Sequence, residues 1–257
     1  MRTQSISRNF INIFLCLAVI MSLAVRADAE KQDDLANYWK PGERLIYEVT
    51  FAGRTIGSAV GEFVGKVKHG TVGSRYLIDC RTDISVLNLT SDYSVSSQMY
   101  TSDEGRPVYY EVNYVEKGDE RSMDGVHGMG EFLFKEFSDT GEARFRVSYS
   151  PESVLCDRQT IPHWNVAFSH VKNMTVDTLV FKVMIPYLKK RVVMKMARHP
   201  DTTLVIMEDS IKCHTYFSLR TDEYYYVTPD RRVVMVDFPK QNLIYKLKEI
   251  MVADKKE

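Results

Sequence analysis

The sequence lacks several features that would identify a protein class. Beyond residue 29 no run is long and apolar enough for a membrane-spanning helix. Neither sign of charge is in excess: Lys and Arg number 34, as do Asp and Glu. This balance gives no support for nucleic-acid binding and argues against a strongly charged membrane-surface patch. No Gly/Ser-rich linker divides the chain, and no repeat at propeller or solenoid periods is present. The sequence therefore predicts one domain and does not identify a reaction.

The first 29 residues have the parts of a secretory signal peptide. Phe10–Val25 is apolar and follows Arg2 and Arg8, and the small residues of Ala27-Asp28-Ala29 come next. We predict cleavage after Ala29 and a periplasmic location; an uncleaved N-terminal anchor is the alternative. Removal of residues 1–29 takes away three arginines and one aspartate, so the mature net charge is −2.

The sequence pattern after residue 29 predicts strands nearly to the end of the chain. Arg44–Phe51 alternates apolar and polar side chains with a period of two, the pattern of a strand. Similar strands joined by short turns follow, which favours antiparallel neighbours. We predict a loose leader at 30–40, a single β-domain at 41–252 and a polar tail at 253–257. The predicted fold is mostly β: one long, curved antiparallel sheet, a half-barrel or open barrel.

A glycine-bearing strand is the most informative part of this domain. Thr55–Lys68 alternates throughout, and Gly57, Gly61 and Gly65 lie on one face. Glycines within strands mark bends or close approach of another backbone. We therefore predict a long strand that coils, with its bare face on the inside of the curve. The alternative is two shorter strands with a kink between them.

One helix interrupts the strands. Thr160-Ile161-Pro162 resembles a helix start, and Trp164, Phe168 and Val171 recur at helical spacing. We predict a short helix at 161–172 that packs on the sheet. Strands resume after it, and two of these are predicted separately, at Arg191–Ala197 and Thr203–Asp209.

Few residues point to catalysis. Cys80, Cys156 and Cys213 follow the signal, so one disulfide with one thiol left over, or three idle thiols, are the two possibilities. Cys156-Asp157, His163 and His170 form the only group that resembles a nucleophile and base. Surface or capping histidines beside an ordinary cysteine are the simpler interpretation. We predict no enzyme activity, catalytic residue, cofactor or metal.

The two ends of the domain resemble a known family. Gly42-Glu43-Arg44-Leu45-Ile46-Tyr47-Glu48-Val49, followed by Gly53 and Ile56-Gly57, is similar to the start of a bacterial family of uncharacterised exported proteins (domain of unknown function 3108). The closing stretch Thr228–Leu247 is similar too. The resemblance implies a single curved sheet, similar in shape to the half-barrels of periplasmic lipoprotein carriers. It supplies no active site.

These observations lead to two hypotheses of function. In the first, the concave face binds a lipid or other apolar ligand, because the protein is predicted to be exported, carries no catalytic motif and has a glycine-faced strand. In the second, a structural protein of the envelope binds a protein partner through its sheet edges. A Cys/His hydrolase is a third alternative. The residues predicted to line the ligand site are Gly57, Gly61, Phe63, Tyr110, Trp164, Phe168, Tyr224 and Tyr226.

Overall fold

A computed structural model of the chain describes residues 35–85, 92–157 and 160–252. The predicted signal peptide, its cleavage after Ala29, the first part of the predicted leader and the tail at 253–257 lie outside the described residues.

The described chain forms fifteen strands in one sheet. In chain order they are β1 Glu43–Phe51, β2 Arg54–His69, β3 Gly73–Ser85, β4 Asp92–Thr101, β5 Pro107–Glu116, β6 Asp119–Gly128, β7 Glu131–Ser138, β8 Gly141–Ser148, β9 Ser153–Leu155, β10 Thr178–Ile185, β11 Lys190–Ile206, β12 Asp209–Ser218, β13 Glu223–Val227, β14 Val233–Phe238 and β15 Leu243–Val252. Within the same described ranges, one α-helix, α1, spans Pro162–Ser169.

The sheet is an antiparallel meander that does not close. Its strand order is β8-β7-β6-β5-β4-β3-β2-β1-β15-β14-β13-β12-β11-β10-β9, so β1 and β15 pair in its middle. All neighbours are antiparallel except β9 and β10, which are parallel. The predicted single antiparallel open sheet with one short helix is therefore confirmed.

Strand β2 confirms the prediction of one continuous glycine-bearing strand. It runs for 16 residues and shifts register between Phe63 and Gly65, where Gly65 adopts a φ of +100°. This left-handed backbone is readily available only to glycine. The bulge and the missing side chains let one strand follow the curvature of the sheet.

Part of the predicted leader belongs to the fold. Leu35–Asn37 forms a 3-10 turn, and the side chains of Leu35 and Trp39 are buried in the core. The Trp39 ring contacts Phe63 edge-on, with centroids 6.1 Å apart. The prediction of a loose segment is therefore wrong for residues 35–40, because these apolar side chains cover the end of the core.

Helix α1 lies against the inner face of the sheet, which is defined here as the face that contacts α1. Its eight residues are all buried. Pro162 occupies the first turn, as predicted, and lacks an N–H that a helix start would leave unpaired. The helix ends at Ser169, three residues earlier than predicted.

Strand β11 differs from the prediction of two strands. It runs unbroken from Lys190 to Ile206, and its register with β12 shifts between His199 and Thr202. Pro200 lies within that shift, where a proline does not remove a ladder hydrogen bond. Pro200 therefore lies at a bulge within one strand.

Side chains join the two ends of the open sheet. The turn between β10 and β11 contacts the strands at the opposite end: Tyr187 lies edge-on to Tyr114, with ring centroids 5.5 Å apart. Lys189 forms an ion pair with Glu136 of β7 and lies 5.3 Å from the Phe145 ring of β8. These contacts, here called the seam, bring the sheet ends together without backbone pairing between β8 and β9.

Candidate functional site

Four of the eight predicted site residues are buried on the inner face or on α1. Phe63 and Tyr110 are fully buried on β2 and β5, and Trp164 and Phe168 are buried on α1. The ring of Trp164 lies 4.9 Å from that of Tyr225. These aromatic residues therefore hold the helix against the sheet, with rings at distances typical of favourable aromatic pairs.

The two predicted glycines make close contacts of different kinds. A Cβ at Gly61 would lie 2.3 Å from Pro162 Cβ, so the bare strand makes room for α1. A Cβ at Gly57 would lie 2.0 Å from the carbonyl oxygen of Asp83 in the neighbouring strand. Gly61 therefore accommodates the helix, whereas Gly57 allows close approach of β3.

Tyr224 and Tyr226 lie on the opposite face from α1, which corrects their placement in a concave site. Tyr225 alternates with them and contacts α1 through Trp164. Tyr224 instead contacts His199 and Phe217, with ring centroids 5.6 and 4.7 Å away. Three consecutive tyrosines give no period-two signal, so the sequence could not decide which of them faces inward.

His163 is the centre of a buried polar network. Its Nε2 lies 3.3 Å from Ser97 Oγ on β4, and its Nδ1 lies 2.9 Å from Thr160 Oγ1. Thr160 Oγ1 also donates to the Asp157 carbonyl oxygen. Burial lowers the pKa of His163 to about 3, so the ring is neutral near pH 7. The network attaches the start of α1 to the sheet.

The Asp157 carboxyl group extends this network to two tyrosines. Tyr114 donates to Asp157 Oδ2, and Tyr110 donates to the same oxygen at 3.5 Å. Burial, and then the nearby Asp157, raise the pKa of both hydroxyl groups well above the usual range. The tyrosines are therefore protonated donors at neutral pH.

Asn165 joins α1 to two strands. Its Nδ2 donates to Tyr47 Oη at 2.9 Å, and its Oδ1 accepts from the Val233 N–H at 2.7 Å. Tyr47 Oη in turn donates to the Val233 carbonyl oxygen at 2.7 Å. The amide oxygen thus pairs with strand backbone directly, and the amide nitrogen is linked to the same residue through Tyr47. Sequence reasoning missed Asn165, although a lone amide in an apolar helix was a usable signal.

Arg231 holds the other end of α1. Its guanidinium donates to the Ser169 carbonyl oxygen at 3.0 Å and to Tyr38 Oη. It also lies 4.8 Å from the centre of the Tyr38 ring. A cation at a helix C-terminus interacts favourably with the helix dipole. Both ends of α1 are therefore fixed by polar contacts.

A pocket of about 390 Å³, here called the mouth of the sheet, lies beside the ends of four neighbouring strands. It is formed where β2 and β4 begin and where β3 and β5 end. Ile56, Gly57, Ile84, Tyr93 and Val115 supply its apolar lining, with serines and an aspartate between them. Burial is the main cause of the raised pKa of Tyr93, and the nearby Asp157 adds to it. The pocket is therefore close to the network that holds α1.

The structure gives no support to a Cys/His nucleophile. Cys156 is buried, and burial raises the pKa of its thiol well above the usual range, the opposite of a reactive cysteine. His163 contacts Ser97 and Thr160 rather than Cys156. His170 contacts the Gly105 carbonyl oxygen. The paired ring nitrogens and low pKa of His163 fit a structural role better than a general base.

The described residues contain three unpaired thiols and no candidate metal site. Cys80, Cys156 and Cys213 are free and buried, so the three-thiol alternative is the one observed. Among the described residues no cluster of three or more His, Cys, Asp or Glu side chains could hold a metal ion. Nor is any helix in the described ranges long and apolar enough to cross a membrane.

Comparison with solved structures identifies the fold. The chain is similar to a β-barrel-like protein of the domain of unknown function DUF1849 from Brucella abortus, with a TM-score of 0.54 and 11% identity over 82% of this chain and 98% of that one. A Bacteroides fragilis protein with a YmcC-like fold matches with a TM-score of only 0.28 at 7% identity, over 82% of this chain and 96% of that chain, and adds nothing further.

Comparisons of sequence identify no family. No family model matches the chain, and no curated protein matches it significantly. The β-barrel-like fold is therefore shown, whereas membership of the 3108-type family stays a prediction.

Proposed function

We propose that this chain is an exported, periplasmic, non-enzymatic β-protein that binds a lipid or other apolar ligand at the mouth of its curved sheet. The pocket between β2 and β5 is the observation that carries this proposal. Its volume of about 390 Å³ lies in the range typical of small-ligand sites, and its lining is mainly apolar. The predicted signal peptide and the resemblance to an exported family support the location.

The position of α1 narrows where the ligand would bind. Gly61, Tyr110 and Phe168 were predicted to contact ligand, yet Gly61 and Tyr110 contact α1 and Phe168 is part of it. Gly57 lines the pocket instead. We therefore place the ligand at the mouth of the sheet, beside Tyr93, rather than along the whole inner face.

Lipid retention by a pocket-filling variant tests this proposal. We expect an acyl lipid to co-purify with the mature protein and to be seen by native mass spectrometry and after solvent extraction. Ile84→Trp fills the pocket and should reduce retention about tenfold or more, because an apolar ligand gains roughly 0.8 kcal/mol for each buried methylene.

Val205→Trp is the matched control, since Val205 is 60% exposed on β11, away from the pocket. It should retain lipid as the unchanged protein does. Absence of lipid from the unchanged protein, or equal retention by the two folded variants, would rule out the pocket as the ligand site.

Binding of an envelope partner through sheet edges is less well supported. The edge strand β8 carries Glu142, Arg144 and Arg146, and charged side chains on an edge strand discourage pairing with another chain. In-cell crosslinking separates the two functions. A specific protein crosslinked to β8, without bound lipid, would favour the envelope partner.

A further inference from the structure

The balanced charge of the whole chain conceals a strongly asymmetric segment. The range 178–200 contains no aspartate or glutamate. Its six basic residues are Lys182, Lys189, Lys190, Arg191, Lys195 and Arg198. This segment comprises β10, the following turn and the first part of β11. A basic hairpin is therefore present in a chain whose net charge is zero.

The basic residues of this hairpin alternate with exposed apolar ones. Val180 pairs with Lys195, and Lys182 pairs with Val193, so cationic and apolar side chains share the face opposite α1. Val180 is 58% exposed and Val193 is 50% exposed. At the turn, Leu188 is 43% exposed beside Lys189. Exposed apolar side chains grouped with cations in this way mark a surface suited to binding a membrane or another partner.

Three of the cations have no acidic partner within the described ranges. Lys182 pairs with Glu152, Lys189 with Glu136, and Arg198 with Asp201. The remaining three form no ion pair with a described acid and are exposed: Lys190, Arg191 and Lys195. Their charge is therefore available to a partner.

The turn presents these residues in a fixed orientation. Pro186–Leu188 forms a 3-10 turn that ends at Lys189 in a left-handed conformation. The seam anchors it on both sides of Leu188, through Tyr187 and Lys189. Leu188 therefore points away from an anchored base, and little ordering entropy is lost on docking.

We propose that this hairpin docks the protein on an anionic lipid bilayer. The surface, here called the basic hairpin face, consists of Val180, Arg191, Val193 and Lys195 on the outer face of the strands, with Leu188 at the turn. Anionic headgroups complement its unpaired cations, and exposed Leu and Val side chains enter the boundary between headgroups and acyl chains. A polyanion such as a nucleic acid would use the cations but leave the apolar side chains uncovered. This proposal is independent of the ligand pocket.

Vesicle flotation with the mature protein tests the proposal. Binding to phosphatidylcholine vesicles that contain phosphatidylglycerol should exceed binding to pure phosphatidylcholine and should fall as salt is raised. Each cation near an anionic leaflet strengthens partitioning roughly fivefold. Arg191→Glu combined with Lys195→Glu, both on the outer face of the hairpin, should therefore weaken partitioning by about 30-fold or more.

The matched control is Lys246→Glu combined with Lys248→Glu on β15, where both lysines are exposed. It makes the same change in net charge and should bind as the unchanged protein does. Circular dichroism and thermal unfolding establish that both double variants are folded. Equal loss in the two would show that net charge alone, rather than the basic hairpin face, attracts the protein.

Leu188→Ser separates the bilayer from a soluble polyanion. It leaves every charge in place and should weaken vesicle binding several-fold while leaving heparin binding unchanged. Strong heparin binding together with vesicle binding that does not depend on Leu188 would overturn the bilayer proposal in favour of a polyanion. So would absence of binding to anionic vesicles at low salt.

Discussion

At the scale of single residues, the buried polar side chains His163 and Asn165 of α1 have hydrogen-bond partners. His163 shows why this matters, because a buried imidazole without partners would cost more free energy than it contributes. Ser97 and Thr160 contact its two ring nitrogens, and it stays neutral. A hydrogen-bonded neutral ring is compatible with an apolar surrounding, whereas an imidazolium is not.

The low pKa of His163 predicts acid sensitivity. The unfolded chain protonates this group near pH 6.5, but the folded chain does so only at about pH 3. The unfolded state therefore binds more protons between these values, and the free energy of unfolding falls as pH falls through this window. From about pH 7 to about pH 5, this group should remove about 2 kcal/mol.

Urea unfolding at these two pH values, for the unchanged protein and for His163→Gln, measures the effect. The variant loses the titrating group, so its stability should decline less over the same interval. His170, whose pKa burial also lowers, is present in both proteins and cancels in the comparison. The same decline in both proteins would contradict the burial of a neutral His163.

At the scale of elements, α1 and β2 are matched in shape. Pro162 occupies the space that a side chain at Gly61 would fill. The eight residues of α1 are too few for a stable isolated helix, so the contacts with the sheet must supply its stability. The close approach at Gly61 is one of these contacts.

Gly61→Ala should therefore displace α1. An added Cβ would lie 2.3 Å from Pro162 Cβ, and overpacking of this kind costs about 1–3 kcal/mol. Chemical denaturation measures the loss, and Trp164 fluorescence on α1 reports whether the helix has moved. Gly128→Ala is the control, because nothing lies within 4 Å of its Cβ position. It should change stability by less than about 0.5 kcal/mol.

At the scale of the whole molecule, the sheet is open in its hydrogen bonding but is held together by side chains. Glu136 is a nearly buried carboxylate, and both Arg121 and Lys189 contact it. Removal of either partner would leave the buried Glu136 carboxylate with an uncompensated charge, which destabilises the folded state. The seam therefore decides how firmly the ends of the sheet stay together.

Lys189→Ala should loosen the seam. Loss of a hydrogen bond to a charged group costs about 1–2 kcal/mol here, below the usual maximum because Lys189 is half exposed. Hydrogen exchange should quicken in β7, β8 and the turn before β11 more than in β1 and β15 at the centre of the sheet. Lys190→Ala, one residue along, should leave exchange unchanged, and a uniform increase throughout the sheet would refute a local seam.

Much of the fold follows from local sequence. The alternation in Arg44–Phe51, the glycines of β2 and the turn residues between strands predict a long antiparallel sheet, because each depends on contacts close in the chain. Pro162 and the apolar spacing after it predict the helix for the same reason. Pro200 shows where local sequence is insufficient. A proline is compatible with either a strand end or a bulge, and here β11 continues through a bulge.

The sequence by itself determined that the chain is a strand-rich protein with one short helix, since backbone preferences and side-chain period are local properties. Only the tertiary structure decided which face of each strand is buried. Both faces of β13 carry aromatic residues, and Tyr225 is the one that packs against α1 on the inner face. Likewise, Val233 beside Asn165, Ser97 beside His163 and Lys189 beside Glu136 are distant in sequence. No local pattern encodes such pairs, which exist only once the sheet has curved around α1.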